Sequence, residues 1–368
     1  LRDEYVDKTG LIAEINNTLF RERRFTCVTR CRRFGKSMAA KMLCAYYDRS
    51  CDSRALFKGL EIEKHPSFEE HLNKYAVIYV DMTDFITRYP HNNSIVDHIQ
   101  STLIKDIKKA YKNVEISETD NLMDVLVEIC DATGDKFFMI IDEWDAICRE
   151  FDPKSKAMEN YVNFLRRMFK SEKGQRVFAG VYMTGILPIK KQNTQSALNN
   201  FWEYSMVQPR RLAKYYGFTK AEVQALCEKY GMPYEDLQKW YDGYNIGNEP
   251  SMFNPSSVIK AIDCGDCESY WSSTGSFDAI TSYIKLDYEG LKGDISSMLA
   301  GAHCPVRTSG FENDPNIITS KNDVLTLLIH LGYLAYEGNT KTCFIPNLEV
   351  RDEMESAVLS NDWGEVIR

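Results

Sequence analysis

The segment from Phe25 to Tyr47 constrains the fold of this chain more than any other. A short strand-like segment, Phe25–Thr29, predicts a strand, and a run rich in Ala, Met and Leu that ends at Tyr47 predicts a helix. The residues between them, Arg30–Ser37, match the pattern G-x-x-x-x-G-K-[ST], except that Arg30 replaces the first glycine. A bare Gly-Lys-Ser also occurs in exposed turns, but a position between a strand and a helix is what the pattern requires. The segment therefore predicts a phosphate-binding loop.

The loop can still bind phosphates without the first glycine. Gly35 lets the backbone approach phosphates, and successive N–H groups with the helix N-terminus bind an anion. Lys36 would reach the β- and γ-phosphates, and Ser37 would ligate Mg²⁺. We therefore predict binding of ATP or ADP with Mg²⁺ through the loop residues Arg32, Arg33, Phe34, Gly35, Lys36 and Ser37.

A second motif lies about a hundred residues downstream, where the apolar run Phe137–Ile141 ends in two acids. Asp142 is placed to complete the Mg²⁺ shell, and Glu143 is placed to orient or deprotonate an attacking water. The alternative is a helix N-terminus, which also favours acids. Because the phosphate loop precedes it, we favour the catalytic interpretation.

Two further apolar runs and one strand-like stretch predict the remaining strands of a sheet: Ala76–Val80, Val177–Met183 and, as the strand-like stretch, Glu203–Val207. Amphipathic stretches between the strands, Ser94–Tyr111, Asn121–Ala132 and Lys156–Lys170, are long enough to be crossover helices. Continuous apolar runs indicate strands covered on both faces, as in a parallel sheet. The predicted class is α/β, a P-loop NTPase sheet of the type that inserts a strand between its two motif strands and uses a catalytic glutamate.

Two further polar residues are candidates for sensing the γ-phosphate. Thr184 ends the strand Val177–Met183 and joins Glu143 and Lys36 as a candidate catalytic residue, although a strand-end hydroxyl can equally satisfy a turn. Arg211 follows the last predicted strand and could contact a bound nucleotide as a sensor or as an arginine finger for a neighbouring copy. A solvated arginine pair with Arg210 at a domain junction is the simpler interpretation.

Beyond about Pro209 the pattern changes to helices, such as Tyr234–Tyr241 and Thr219–Tyr230, which Thr219 is placed to cap. Residues 301–322 predict a loop. They are followed by a helix, Asp323–Leu331, and two short strands, Tyr333–Tyr336 and Cys343–Pro346, which together are typical of a winged helix. We predict three parts: an ATPase core at 1–208, a helical lid-like domain at 209–300 and a winged-helix-like unit at 301–368.

Composition limits the partners of this chain. The 45 basic and 53 acidic residues give a net charge of -8, which argues against wrapping of nucleic acid. The final stretch, Asn347–Arg368, is also acidic, so DNA should bind only weakly. The apolar run Val177–Ile189 is too short to span a bilayer, which predicts no membrane association.

Eleven cysteines without framework-like spacing indicate a reducing, cytoplasmic location. Cys264 and Cys267 have the spacing of metal ligands, but no second pair follows, and a zinc site needs four ligands. A loop with free thiols is therefore the preferred interpretation.

Taken in order, short motifs along the chain resemble those of the predicted AAA-ATPase-like proteins, a family that often carries a PD-(D/E)XK nuclease-like domain at its C-terminus. The family usually has proline where Cys31 stands and tyrosine where Trp144 stands. The resemblance implies an ATPase whose nuclease-like portion would lie beyond Arg368. The matching segments are Tyr5–Thr9, Arg32–Ser37, Ile141–Asp145, Thr184–Gly185, Trp240–Tyr244, Asn254–Pro255, Tyr270–Trp271, Thr274–Gly275 and Pro346–Arg351.

These features favour an ATPase that acts as a nucleotide-driven switch for an attached or partner effector. The first alternative is a nucleotide-binding scaffold that holds ADP and hardly turns over. A small-molecule kinase is the third, but no lid for a second substrate is evident. Whether the chain forms a homo-oligomer is left open by the sequence.

Overall fold

The computed structural model describes residues 5–189, 198–271, 288–311 and 318–359, and within these ranges the chain folds into two units. The first, which we call the sheet unit, comprises Asp7–Val28 and Lys36–Glu203. The second, which we call the C-terminal unit, comprises Leu1–Val6, Thr29–Gly35 and Tyr204–Arg368, as far as these are described. The division into three parts at residues 209 and 301 stays a prediction.

Five strands form a sheet in the order β2-β3-β4-β1-β5. They are β1 (Phe25–Thr29), β2 (Ala76–Asp81), β3 (Phe137–Asp142), β4 (Phe178–Gly185) and β5 (Trp202–Tyr204). The pairings of β2 with β3 and of β3 with β4 are parallel. Every residue of β1, β3 and β4 is buried, whereas β2 at the edge is only partly buried. The predicted α/β class is confirmed, and so is the strand inserted between the two motif strands, since β4 lies between β1 and β3.

The helices of the sheet unit cover this sheet with apolar faces. Those predicted from the sequence begin and end within one residue of the predicted limits, and side-chain caps mark the beginnings of α6 and α8. Asn121 caps α6 by accepting from the Met123 N–H, and Gly134 ends it with φ +76. The helices are α1 (Gly10–Asn16), α2 (Lys36–Tyr47), α3 (Phe68–His71), α4 (Met82–Arg88), α5 (Ile95–Ala110), α6 (Leu122–Thr133), α7 (Ala146–Glu150), α8 (Lys156–Phe169) and α9 (Glu172–Val177), with 3₁₀ helices at Arg54–Phe57 and Glu61–Lys64.

The first half of the C-terminal unit contains helices and a small sheet. Thr219 caps α10 as predicted, in a reciprocal capping box with Glu222. The elements are a 3₁₀ helix (Arg210–Tyr215), β6 (Phe218–Thr219), α10 (Lys220–Tyr230), α11 (Tyr234–Tyr241), β7 (Tyr244–Ile246), β8 (Glu249–Phe253) and α12 (Pro255–Cys264). The antiparallel sheet, in the order β6-β8-β7, lies where the sequence indicated helices alone. Its signal was the two-residue turn Gly247-Asn248 between β7 and β8, a pattern typical of a tight hairpin.

The second half of the C-terminal unit has the predicted helix followed by a hairpin. The helix and the two strands predicted here are present, and β9 adds a third strand to give the antiparallel order β10-β11-β9. The elements are a 3₁₀ helix (Tyr288–Gly290), α13 (Leu291–Leu299), β9 (Cys304–Pro305), α14 (Lys321–Leu331), β10 (Ala335–Glu337), β11 (Thr342–Phe344) and α15 (Leu348–Leu359). Part of the predicted loop, residues 312–317, lies outside the described residues, as do the motif Thr274–Gly275 and the acidic tail from residue 360.

Among the helices of the described ranges, none combines the length and the apolar character needed to cross a bilayer.

Candidate functional site

Strands β3 and β4 end side by side in the sheet unit and bring predicted site residues together. Asp142, the last residue of β3, is 2% exposed. Its Oδ1 accepts a hydrogen bond from the Thr184 hydroxyl on β4, and its Oδ2 accepts one from the Tyr79 hydroxyl on β2 at 3.1 Å. Burial and the Asp142 carboxylate raise the pKa of Tyr79, so its hydroxyl stays protonated and donates. Tyr79 was not predicted, because an aromatic residue inside an apolar strand carries no polar signal.

Glu143 follows β3 directly and takes up an unusual backbone conformation. Its φ is +52, in the left-handed region that non-glycine residues seldom adopt. The N–H of Glu143 donates to Asp142 Oδ1 at 3.1 Å and to Thr184 Oγ1 at 3.4 Å. Such conformations persist where the surroundings hold them and cluster at functional sites. The Thr184 hydroxyl therefore stabilises this turn, in addition to its predicted role in sensing the γ-phosphate.

Lys36 provides the cation of this cluster. It is the first residue of α2 and only 4% exposed. Its Nζ lies 3.7 Å from Oε1 of Glu143. Burial raises the pKa of the Glu143 carboxyl, and the Lys36 cation opposes that rise. The sheet unit thus gathers Lys36, Asp142, Glu143 and Thr184, four residues that the sequence had nominated from separate segments.

Arg149 on α7 joins the same cluster and was missed by the sequence reasoning. Its Nη2 donates to Glu143 Oε2 at 2.6 Å, and its Nε donates to Asp145 Oδ2 at 3.1 Å. Although burial acts against the charge, the carboxylates of Asp145 and Glu143 raise the pKa of Arg149. Asp145 is fully buried and also accepts from the backbone N–H groups of Ile186 and Leu187. The four-residue spacing of Asp145 and Arg149 on a helix was the available signal.

The loop residues before Lys36 are part of the C-terminal unit. Arg33 and Gly35 have left-handed φ values of +70 and +85. Such conformations can turn successive N–H groups toward a common centre, where they bind an anion. The Arg33 guanidinium donates to the Tyr270 carbonyl at 2.7 Å, and the Phe34 ring is fully buried. The side chains of Arg33 and Phe34 thus lie within the C-terminal unit, and phosphate contact stays a prediction for their backbone.

Arg30, which stands where the first glycine of the loop pattern would be, has a fully buried side chain. Its Nη1 donates to the carbonyls of Thr29 and Tyr204, each at 2.8 Å. The guanidinium carbon lies 5.2 Å from the centre of the Tyr216 ring. Arg30 therefore secures the beginning of the loop within the C-terminal unit.

Three predicted residues lie at the surface. Arg32 is exposed in the loop, and Ser37 is exposed as the second residue of α2. Arg211 is exposed in the 3₁₀ helix Arg210–Tyr215, and its guanidinium carbon lies 5.8 Å from the centre of the Tyr204 ring. Their contacts with a nucleotide stay predictions.

The donor set fits Mg²⁺ bound together with a nucleotide. Mg²⁺ usually takes one or two protein oxygens and completes its shell with phosphates and water. The Asp142 carboxylate and the Ser37 hydroxyl are oxygen donors of this kind. Within the described ranges, no group of three or more His, Cys, Asp or Glu side chains could hold a metal alone. Here the nucleotide itself would have to supply part of the shell.

Comparisons with known proteins bear on the family. A protein described as the uncharacterized protein in the vnfD 5' region of Azotobacter chroococcum mcd 1 is 22% identical over 277 residues, which is 74% of this chain and 50% of that protein. This chain thus matches about half the length of that curated relative.

Two solved structures are similar over nearly their whole length. The ORC2 protein of Aeropyrum pernix, in ADPNP–ADP complexes, is 11% identical with a TM-score of 0.44, over 98% of this chain and 97% of that one. The ORC1 protein of the same organism, in complex with DNA, is 12% identical with a TM-score of 0.32, over 99% and 95% of the two chains. Likenesses this weak carry no argument about this chain.

The family model described as Predicted AAA-ATPase matches residues 2–194. That range holds the loop Arg30–Ser37, the acids that end β3, and Thr184. Because the match covers more than half of its 368 residues, the chain belongs to the Predicted AAA-ATPase family.

Proposed function

We propose that this chain binds ATP with Mg²⁺ and hydrolyses it. The observation that carries the proposal is the cluster in the sheet unit, where the Lys36 cation lies 3.7 Å from Glu143 and Asp142 is held by Thr184. The loop that leads into Lys36 has the sequence of a phosphate-binding loop, and membership of the Predicted AAA-ATPase family supports the same ligand.

Each residue has a separate part in this proposal. The N–H groups of the loop and of the first turn of α2 bind the phosphates, and the Lys36 ammonium group neutralises the negative charge on the γ-phosphate. Asp142 and Ser37 would hold Mg²⁺, which would neutralise charge on the phosphates. Thr184 and Tyr79 orient Asp142 through hydrogen bonds to its two oxygens.

Glu143 is the proposed general base. A base works best when its pKa lies near the working pH, and burial raises the pKa of Glu143 in that direction. For Glu143 to accept a proton from water, its carboxylate must leave the ion pairs with Lys36 and Arg149. Arrival of phosphates at Lys36 supplies competing negative charge and so favours this release.

Calorimetric titration with MgATP tests the binding step. We expect Lys36→Ala to weaken binding by at least about 30-fold, because a charge-assisted contact with the phosphates is lost. Lys41→Ala is the matched control, since Lys41 is exposed on the same helix. Equal affinities of the wild type and Lys36→Ala would refute the assignment of the loop.

Steady-state ATP turnover tests the chemical step. Glu143→Gln should keep MgATP affinity and lose turnover by roughly 100-fold or more, because the amide keeps the shape but cannot take a proton. Glu159→Gln, at an exposed position of α8, is the control. Normal turnover by Glu143→Gln would show that another group activates the water.

A second candidate function is a nucleotide-binding scaffold with little turnover. The observation in its favour is the double pairing of Glu143 with Lys36 and Arg149, which occupies both carboxylate oxygens. Under this alternative the wild type binds MgATP tightly but hydrolyses it no faster than Glu143→Gln. The same two assays therefore separate the candidates.

Nucleotide state would then be passed to an effector, either a downstream domain such as a nuclease-like one or a protein partner. We propose that the region after residue 209 relays this signal, as a helical part to residue 300 and a winged-helix-like part beyond it. We further propose a cytoplasmic location.

We also propose that DNA binds only weakly and in a salt-sensitive way. Tight binding of a labelled DNA duplex at ~150 mM salt would contradict this proposal. Light scattering with and without ATP would show whether the chain forms a homo-oligomer.

A further inference from the structure

Two side chains of the phosphate loop lie in the interior of the C-terminal unit. Cys31 and Phe34 are both fully buried. The Phe34 ring meets Tyr244 edge to face, with ring centres 5.1 Å apart. A Cβ at Gly332, the residue that ends α14, would lie 2.6 Å from the Cβ of Cys31, so this position must be glycine. The loop conformation thus depends on packing from residues far away in sequence.

Arg33 adds a polar attachment to this packing. Its Nη1 donates to the Tyr270 carbonyl at 2.7 Å, and its guanidinium carbon lies 5.9 Å from the centre of the Trp271 ring. Arg33 also has a left-handed backbone, which costs free energy in a residue with a Cβ. Because the side chain is fixed at Tyr270, the backbone of Arg33 is held in that conformation.

Tyr270 is in turn fixed from its other side by Glu349. The Tyr270 N–H donates to Glu349 Oε1 at 3.0 Å. Glu349 lies in the first turn of α15 and is fully buried. The Ser257 hydroxyl approaches both Glu349 oxygens, at 2.8 and 2.9 Å. One turn later, Glu353 accepts from the Ser269 hydroxyl at 3.1 Å. A buried carboxyl group is costly unless it is hydrogen-bonded, so Tyr270 and Ser257 stabilise Glu349 in this position.

We propose that Glu349 and Arg33 are positioning residues, which act through Tyr270 to hold the phosphate loop in its anion-binding conformation. This inference rests on the proposed ATP binding and adds to it. It makes α15, a helix more than 300 residues after the loop, a determinant of nucleotide affinity. By linkage, bound nucleotide should stabilise the attachment of α15 by the same factor.

A double-mutant cycle on MgATP affinity tests this chain of contacts. Glu349→Gln keeps the shape but offers the Tyr270 N–H a weaker acceptor, because an amide oxygen accepts less strongly than a carboxylate, and Arg33→Met removes the hydrogen bond to the Tyr270 carbonyl. We expect each to weaken binding by roughly 5- to 20-fold, and the double variant to bind no more weakly than the worse single one. Asp352→Asn, exposed on the same helix, should bind like the wild type. Unchanged affinity in Glu349→Gln, or effects that multiply in the double variant, would overturn the proposal.

Hydrogen exchange of the Tyr270 amide provides a readout that does not need nucleotide. In protein without ATP, Arg33→Met should speed this exchange several-fold, and MgATP should slow it in the wild type. If the wild type binds no ATP, the proposed function fails, and the hydrogen-exchange rates alone then test the contacts between Arg33, Tyr270 and Glu349. An equal exchange rate of the Tyr270 amide in Arg33→Met and in the wild type would overturn these contacts. If Glu349→Gln does not fold, Ser257→Ala replaces it in the cycle with the same expected direction.

Discussion

Asp145 joins Arg149 of the candidate site to the backbone that follows β4. Its replacement should lower the free energy of unfolding more than most other single changes in the sheet unit. The carboxylate is fully buried and accepts from the N–H groups of Ile186 at 3.2 Å and Leu187 at 2.9 Å. It also accepts from Arg149 Nε at 3.1 Å. Asp145→Ala removes every one of these acceptors at once.

The cost follows from what is left behind. Each buried N–H without an acceptor costs about 1–3 kcal/mol, and breaking a buried ion pair costs about 3–5 kcal/mol. The penalties overlap, because water can enter the gap and Arg149 can turn toward Glu143. We therefore expect a loss of about 4 kcal/mol, a large part of the roughly 5–15 kcal/mol typical of a folded domain.

Urea unfolding, followed by far-UV circular dichroism and tryptophan fluorescence, measures this loss. Asp145→Asn keeps an oxygen for the backbone donors but lacks the charge, so it should lose about 2 kcal/mol. Asp106→Ala, on the exposed face of α5, removes only a surface ion pair with Lys109 and should cost less than about 1 kcal/mol. A loss below about 1 kcal/mol in Asp145→Ala would refute the reasoning, because it would mean that the buried donors find other acceptors.

Three further outcomes are expected. Arg149→Ala removes a cation that faces Glu143, so the acid limb of the pH–rate profile should move to higher pH by about one pH unit. Burial raises the pKa of Glu349 from 4.5 to about 7. Between these two pH values the folded protein keeps a proton on Glu349 that the unfolded chain releases. The free energy of unfolding should therefore fall by roughly 3 kcal/mol as the pH rises from 4.5 to 7. Glu349→Gln should flatten that slope in urea titrations, and an unchanged slope would exclude Glu349 as its source. Gly243 has φ +100 and its substitution by Ala would put Cβ 2.0 Å from the Pro346 carbonyl oxygen, so thermal unfolding of Gly243→Ala should begin well below that of the wild type.

Much of the sheet could be predicted because its strands carry two simple signals. β1, β3 and β4 are continuous apolar runs, and burial on both faces requires that pattern. Asp142 lies at the end of β3 and Thr184 near the end of β4. Because β3 and β4 are parallel neighbours, their pairing alone brings these two residues together. The hairpin of β7 and β8 was missed, because the aromatic and polar residues around Gly243 resemble a helix end.

The rest of the site could not be predicted, because it depends on contacts between distant segments. Nothing near Arg33 in the sequence indicates that its side chain is held by Tyr270 rather than by a phosphate. Tyr79 and Arg149 lie in segments without a motif, and only the register of β2 and the helical turn from Asp145 to Arg149 bring them to the acids. Positions of chemistry-bearing residues along the chain were thus predictable, whereas their orientation was not.

The buried side chain of Arg30 limits how this loop can change over evolution. A single substitution to glycine would restore the usual phosphate-loop consensus but would empty a space that a guanidinium now fills between two carbonyl groups and the Tyr216 ring. We expect such a consensus repair to be harmful unless Tyr216 and its surroundings change as well. We therefore expect the residue at position 30 to change only together with the residues that surround its guanidinium.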